Sequence, residues 1–131
     1  MTKRAVNPWQ WQDRFGFVQA TEVAGARRTL FVAGQASMGA EGESLHPGDM
    51  AAQLGQALDN LETVMREAGF QMADVVRLNF YTTDMNAFLA ASGLIRERVT
   101  NVGARYASTL LGVACLARPE LLVEIEATAV R

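Results

Sequence analysis

Residues 49–84 read DMAAQLGQALDNLETVMREAGFQMADVVRLNFYTTD, and the apolar pattern of this stretch changes its period once. In its first twenty residues apolar side chains recur at steps of three and four, which predicts a helix with one apolar face. Asp49 suits the positive N-terminal end of this helix, and Gly69 followed by Phe70 predicts its C-terminal cap. The apolar face consists of Met50, Leu54, Ala57, Leu58, Leu61, Met65 and Ala68.

The second half of the same stretch has a period of two. Apolar residues at positions 76, 78 and 80 alternate with polar ones at 77, 79 and 81, which predicts a half-buried strand. Asp84 suits the N-cap of a second helix over roughly residues 85–99. Its apolar face comprises Met85, Phe88, Leu89, Ile95 and Val99.

Strand-like runs flank this central part on both sides. RFGFVQATEV (14–23) and TLFVAGQAS (29–37), joined by a short turn containing GARR, predict a hairpin. STLLGVACLA (108–117) and ELLVEIEATAV (120–130) predict two closing strands. The order β-β-α-β-α-β-β predicts one α+β domain over residues 1–131, with two helices on one face of a mixed sheet. Because several strands are apolar on nearly both faces, we expect a second copy of the chain to cover the other face.

Composition excludes several classes of function. The chain has 131 residues, a net charge of −2 and a single cysteine, so we expect neither nucleic-acid attraction nor an internal disulfide. No apolar run is long enough for a membrane span, and none near the N-terminus resembles a signal peptide. We therefore expect a soluble, cytoplasmic protein. One histidine, His46, and one cysteine, Cys115, cannot form a typical metal cluster, so no metal is expected.

The order and spacing of four segments resemble the RidA/YjgF family. They are the run ending in AGQAS, the helix AAQLGQALDNLETVMREAG, the strand VVRLNFYTTDMNAF and the close ASTLLGV…ELLVEIEATAV. The resemblance implies a chorismate-mutase-like fold and a barrel-like homotrimer with clefts between subunits. It also implies hydrolysis of reactive enamines and imines to ammonia and 2-oxo acids, without a cofactor.

The resemblance assigns site residues one by one. The glutamate that orients a water in the family falls on Glu124, the first acid of EIE. The residues expected to line the cleft around a 2-oxo or 2-imino acid are Phe17, Ala33, Gly34, Ser92 and Ser108. Phe17 stands where the family has a tyrosine, Ala33 where it often has a serine, and Ser92 where deaminases have an asparagine.

Ser108 is the most consequential departure from the family pattern. It replaces the arginine that holds the substrate carboxylate, and a charged bidentate pair is worth roughly 1.5–3 kcal/mol. Arg105, three residues earlier, is a further candidate for binding the substrate. In a plain strand it faces the opposite side, and a bend at Tyr106 would bring it back to the cleft. The chain resembles a branch of the family without the catalytic arginine.

Several alternatives remain open from the sequence. Glu124 is a cleft residue or part of a solvated edge, whereas Glu126 is interpreted as structural. Cys115 is interpreted as a small core residue, and the arm carrying Trp9 and Trp11 either packs on the body or covers a pocket. The function is an enamine or imine deaminase of altered activity or a non-catalytic metabolite-binding protein. The acidic composition disfavours an RNA-related role.

Overall fold

The computed structural model describes all residues from Met1 to Arg131. The chain forms six strands and several helical segments. The strands are β1 (Thr2–Val6), β2 (Ala20–Ala24), β3 (Thr29–Ala36), β4 (Val75–Thr82), β5 (Ala107–Gly112) and β6 (Val123–Val130). The α-helices are α1 (Met50–Glu67), α2 (Met85–Ala91) and the single turn α3 (Gly93–Ile95), which a π-helical turn, Arg96–Thr100, continues. None of the helices is both long and apolar enough to cross a membrane.

The main sheet has the strand order β3-β6-β4-β5. β4 and β5 run parallel and are joined through the second helical segment, whereas β6 is antiparallel to both β3 and β4. On β6, Val123, Ile125, Ala127 and Ala129 are buried toward the helices, and the residues between them are only partly buried. The α+β class, the mixed sheet and the placement of the helices on one face are as predicted.

Helix α1 follows its predicted pattern closely. The Asp49 side chain accepts a hydrogen bond from the Ala52 N–H at 3.1 Å, which caps the helix. Six of the seven predicted apolar positions are buried, and only Ala68 is half-buried. Gln53 is also fully buried, and its amide bonds the carbonyls of His46 and Glu120 and the Leu122 N–H. This glutamine therefore ties the start of α1 to the loop before β6.

The predicted hairpin of residues 14–37 is wrong. β2 pairs with β1, a strand that the sequence did not predict, and β3 pairs with β6. Val18 lies beside β5, where its N–H donates to the Tyr106 carbonyl at 2.9 Å. The N–H groups of Arg27 and Arg28 donate to the Arg131 carbonyl at the end of β6. The chain thus crosses one end of the sheet, from the β5 edge to the β3 edge, because β3 finds its ladder partner far along the sequence.

Three further predictions need correction. The helix predicted over 85–99 is broken after Ala91, and Leu89 is 49% exposed. The strand predicted over 108–117 ends at Gly112. Cys115 therefore lies in the loop between β5 and β6, where it is exposed and not part of the core.

Candidate functional site

The sheet face that the helices leave uncovered carries the polar side chains of β4 and β6. On β6 these are Glu124, Glu126 and Thr128, and on β4 they are Arg77, Asn79 and Tyr81. Phe31 of β3 stands on the same face and is 80% exposed. The face is thus a mixture of charged, polar and apolar groups, and it is less apolar than the sequence suggested.

Glu126 is held by two donors from the neighbouring strand. The Tyr81 hydroxyl and the Asn79 amide, at 3.1 Å, both donate to its Oε1. The hydrogen bond from Tyr81, helped by that from Asn79, lowers the pKa of Glu126. The same bond to Glu126, with burial, raises the pKa of Tyr81. Glu126 is therefore a fixed carboxylate within a side-chain network, in keeping with its structural interpretation.

Glu124 occupies a different environment beside a bulge in β3. The ladder register shifts between Val32 and Gln35, so that Ala33 and Gly34 form the bulge. A Cβ built on Gly34 would lie 1.9 Å from Glu124 Oε1. No side chain or backbone group of the chain forms a hydrogen bond with this carboxylate. Gly34 thus gives Glu124 the room to lie along the strand with an uncommitted carboxylate.

A cavity of about 350 Å³ opens at the other edge of the sheet, along β5. Phe17, Ser92 and Ser108, which the sequence assigned to the site, line it together. Its walls are otherwise mostly apolar and include Phe80, Phe88 and Leu110. This volume lies at the lower end of the range for small-molecule sites.

The hydroxyl groups of both serines of the cavity already donate hydrogen bonds to backbone carbonyls. Ser108 Oγ donates to the Leu78 carbonyl at 2.7 Å, and Ser92 Oγ donates to the Leu89 carbonyl at 2.8 Å. A hydroxyl has one hydrogen to donate, so neither serine offers a donor to a ligand in this arrangement. Ser108 therefore supplies none of the donor capacity that an arginine would supply there.

Two arginines that the sequence did not single out stand at this cavity. Arg14 and Arg96 both line it, and no aspartate or glutamate does. Arg96 Nη2 donates to the Asp13 carbonyl at 2.5 Å, and the guanidinium of Arg14 stacks over Phe15 at 4.6 Å. The sequence did not indicate Arg96, because a positive residue on a surface helix is usually solvated. Only the tertiary fold brings the N-terminal arm, residues 9–17, against it.

The arm itself forms part of the cavity wall. Trp11 contacts Phe15 and Phe17 edge-on, with ring centroids 6.5 and 5.9 Å away. Trp11 lines the cavity and Trp9 does not, although the two are almost equally exposed, at 58% and 59%. Trp11 thus packs against neighbouring aromatic rings and also forms part of the cavity wall.

Arg105 does not reach this cavity. It is exposed, its Nη1 donates to the Ala104 carbonyl at 3.3 Å, and its own carbonyl accepts a hydrogen bond from Thr21. Tyr106, the next residue, is buried at the cavity wall, and its hydroxyl lies 3.4 Å from Thr100 Oγ1. Burial raises the pKa of Tyr106, so this phenol stays protonated at neutral pH.

The assigned residues therefore form two separate groups within one chain. Glu124, Ala33 and Gly34 lie at the β3–β6 pair, with Glu124 on the uncovered face. Ser108 pairs with buried Leu78 and points to the helix side of β5. Strand β4 lies between β5 and β6, which alone separates them by about 10 Å. One protomer does not bring Glu124 and Ser108 together.

Comparison with known proteins supports the family resemblance. The sequence model of the family described as endoribonuclease L-PSP matches residues 12–131. The chain belongs to this family, which is the RidA/YjgF family. The 2-iminobutanoate/2-iminopropanoate deaminase of Rattus norvegicus is 31% identical over 105 residues, covering 79% of this chain and 74% of the rat protein.

A second deaminase and a solved structure extend the comparison. The deaminase of the same description from Escherichia coli K12 is 34% identical over 86 residues. That match covers 65% of this chain and 66% of the enzyme, just under two thirds of its length. The crystal structure of YyfB from Yersinia pestis, a Rid family protein of unknown function, superposes with a TM-score of 0.90 at 41% identity over 100% of both chains. The strand order described above is therefore that of a Rid protein.

Proposed function

We propose that the protein is a cytoplasmic homotrimer that binds a small 2-oxo or 2-imino acid in clefts between its subunits. The observation that carries this proposal is the separation of the two half-sites. Glu124 lies on one face of the sheet, while Phe17, Ser92 and Ser108 line a cavity at the opposite edge. Contact between the uncovered face of one subunit and the β5 edge of another would complete a site that a single chain leaves divided.

The exposed apolar groups on the uncovered face support such an assembly. Phe31, the third residue of β3, is 80% exposed, and Leu111 on β5 is 49% exposed. Burying a phenylalanine against a partner contributes about 1.5–3 kcal/mol per subunit. Sedimentation velocity at micromolar concentration tests the assembly, and a stable folded monomer would contradict it.

Within such a cleft, hydrolysis of an imine to a 2-oxo acid and ammonia would use Glu124. An uncommitted carboxylate can take a proton from the attacking water and return it to the departing nitrogen. The description of two relatives as 2-iminobutanoate/2-iminopropanoate deaminases motivates this step. We expect hydrolysis to be slow in this protein. The Ser108 hydroxyl donates to the Leu78 carbonyl, so position 108 gives the substrate carboxylate no charged donor.

Ammonia release from 2-aminoacrylate, generated by a serine dehydratase, tests this chemistry. We expect little acceleration over the uncatalysed rate, loss of what remains in Glu124→Ala, and a gain in Ser108→Arg. Arg105→Ala serves as the matched control, because Arg105 lies outside the cavity. Rapid release by the unmodified protein that depends on Glu124 would show that the chain does not need an arginine at position 108.

A non-catalytic binding protein is the second candidate function. It is favoured by the same hydrogen bond of Ser108, together with the absence of any acidic side chain from the cavity. Calorimetric binding of a 2-oxo acid without ammonia release in the coupled assay would support it. Ammonia release at a rate that falls with Glu124→Ala would exclude it.

A further inference from the structure

The cavity beside β5 combines aromatic walls with positive charge. Of the 14 residues that line it, six are aromatic, and the only charged ones are Arg14 and Arg96. Neither guanidinium forms an ion pair with a carboxylate of the chain, since the ion pairs use Arg4, Arg98 and Arg131. An aromatic pocket with unpaired positive charge is complementary to a ligand that is apolar at one end and anionic at the other.

The hydrogen-bond inventory identifies Arg96 as the main donor available to such an anion. The hydroxyls of Ser92 and Ser108 already donate to backbone carbonyls. Arg96 donates one N–H to the Asp13 carbonyl. Because a guanidinium has five N–H groups, the others remain free to donate. That bond also fixes the side chain at the junction of the arm and the helical segment, whereas Arg14 is exposed. Arg96 is therefore positioned to form a forked contact with a carboxylate.

The size of the cavity favours a ligand larger than a three-carbon acid. Its volume of about 350 Å³ equals that of about twelve water molecules in the liquid. The number of non-hydrogen atoms in pyruvate is about half the number of water molecules that would fill the cavity. Pyruvate would therefore leave the aromatic walls largely in contact with water. A phenyl-substituted 2-oxo acid has about twelve such atoms and would contact those walls with its ring.

We propose that the cavity binds a monocarboxylate with an aromatic side chain, and that Arg96 holds its carboxylate in place of an arginine at position 108. This inference rests on the proposed function, because it names the ligand class of the same site. In this arrangement the ring lies among the phenylalanines and Trp11, and the acid group faces the junction of the arm and the helical segment.

Ligand binding to a Trp9→Phe variant tests the inference directly, because Trp11 is then its sole tryptophan. We expect phenylpyruvate to change Trp11 emission and to bind at least about 10-fold more tightly than pyruvate. Arg96→Gln in that background should weaken phenylpyruvate binding about 10- to 100-fold, which is the effect of losing a charged hydrogen-bonded pair. Arg66→Gln, an exposed arginine of α1 outside the cavity, should leave affinity unchanged.

The neutral ketone 1-phenylpropan-2-one separates charge recognition from a structural role of Arg96. If Arg96 binds the carboxylate, Arg96→Gln should leave the weak affinity for this ketone unchanged. Equal weakening of the ketone and the acid would show that Arg96 only holds the arm in place and would overturn the inference. Pyruvate binding as tightly as phenylpyruvate would overturn it too, while leaving the proposed function intact.

Glu124→Gln and sedimentation distinguish the two proposals. A monomeric protein that binds phenylpyruvate through Arg96 with no dependence on Glu124 would overturn the proposed intersubunit function. That same result would support the assignment of Arg96 and of the aromatic ligand.

Discussion

Replacing Gly34 with alanine should separate the function of Glu124 from the stability of the fold. The added Cβ would lie 1.9 Å from Glu124 Oε1 and 2.7 Å from its Cδ. Ordinary contact begins near 3.4 Å, so the carboxylate must move by about 1.5 Å. Because the clashing atoms end a flexible side chain, Glu124 can rotate away while the backbone stays in place.

The stability cost of this substitution should be small. A side chain forced off its preferred rotamer costs about 0.5–1.5 kcal/mol. Gly34 lacks the positive φ that would make alanine strained, so reduced freedom of the unfolded chain offsets about 0.4–1 kcal/mol. We expect a net change within about 1 kcal/mol, or a melting temperature shift below about 5 °C. Binding of a 2-oxo acid should nevertheless change as much as in Glu124→Gln.

Thermal unfolding and calorimetric binding, measured on the same preparations, check both halves of this prediction. Gly55→Ala is a matched control, because its added Cβ would make only ordinary contact with Leu94 at 3.6 Å. A loss of more than about 3 kcal/mol in Gly34→Ala would show that the glycine serves the fold. Unaltered binding in Gly34→Ala, alongside altered binding in Glu124→Gln, would refute the proposed coupling of the bulge to the carboxylate.

Three further predictions concern assembly, the core and pH. Phe31→Asp should dissociate the proposed trimer in sedimentation without lowering the unfolding free energy of the monomer, because Phe31 is 80% exposed in the single chain; a variant that stays trimeric would contradict this. Gln53→Ala should lower the unfolding free energy in urea by about 2–4 kcal/mol, because it empties a fully buried position and removes the partners of the Leu122 N–H and the Glu120 carbonyl, whereas Thr63→Ala on the exposed side of α1 should change it little. The pKa of Glu126 is lowered by its bond from Tyr81, so its stabilisation is present above the unfolded-state pKa and is lost as pH falls through the folded one. Tyr81→Phe should therefore be less stable by about 1 kcal/mol at pH 7, with the difference shrinking as the pH falls through the lowered pKa of Glu126; a difference that does not change between neutral and acidic pH would contradict this.

The elements with dense local signals were predictable from the sequence. Helix α1 has an apolar residue in every turn and a capping aspartate, so local rules decide it. β4 alternates as predicted from Arg77 onward, although a register shift between Val75 and Arg77 buries Val75 more fully than Val76. The α+β class follows from them. The two carboxylates of β6 were also placed on one face correctly, because a strand has a period of two.

The predictions that were wrong or missing all depend on contacts between residues far apart in the sequence. The turn after β2 contains glycine and suits a hairpin, yet pairing was decided by β6, about a hundred residues further along the chain. Arg96 was missed for a related reason, since only the folded arm gives it a carbonyl partner and an aromatic pocket. The commitment of the Ser108 hydroxyl to Leu78 likewise depends on the pairing of β5 with β4, which residue type alone does not reveal.

The position of β6 in the sheet has a consequence for folding during synthesis. β6 follows every other strand along the chain, yet it lies between β3 and β4. Until residues 123–130 leave the ribosome, one edge of β4 and both edges of β3 lack main-chain partners. Unpaired edges invite association with other chains, and closing contacts across so long a loop is slow. The nascent chain should therefore depend on α1 to shield its apolar surface, and mutations that weaken β6 should reduce the yield of soluble protein more than their effect on final stability would suggest.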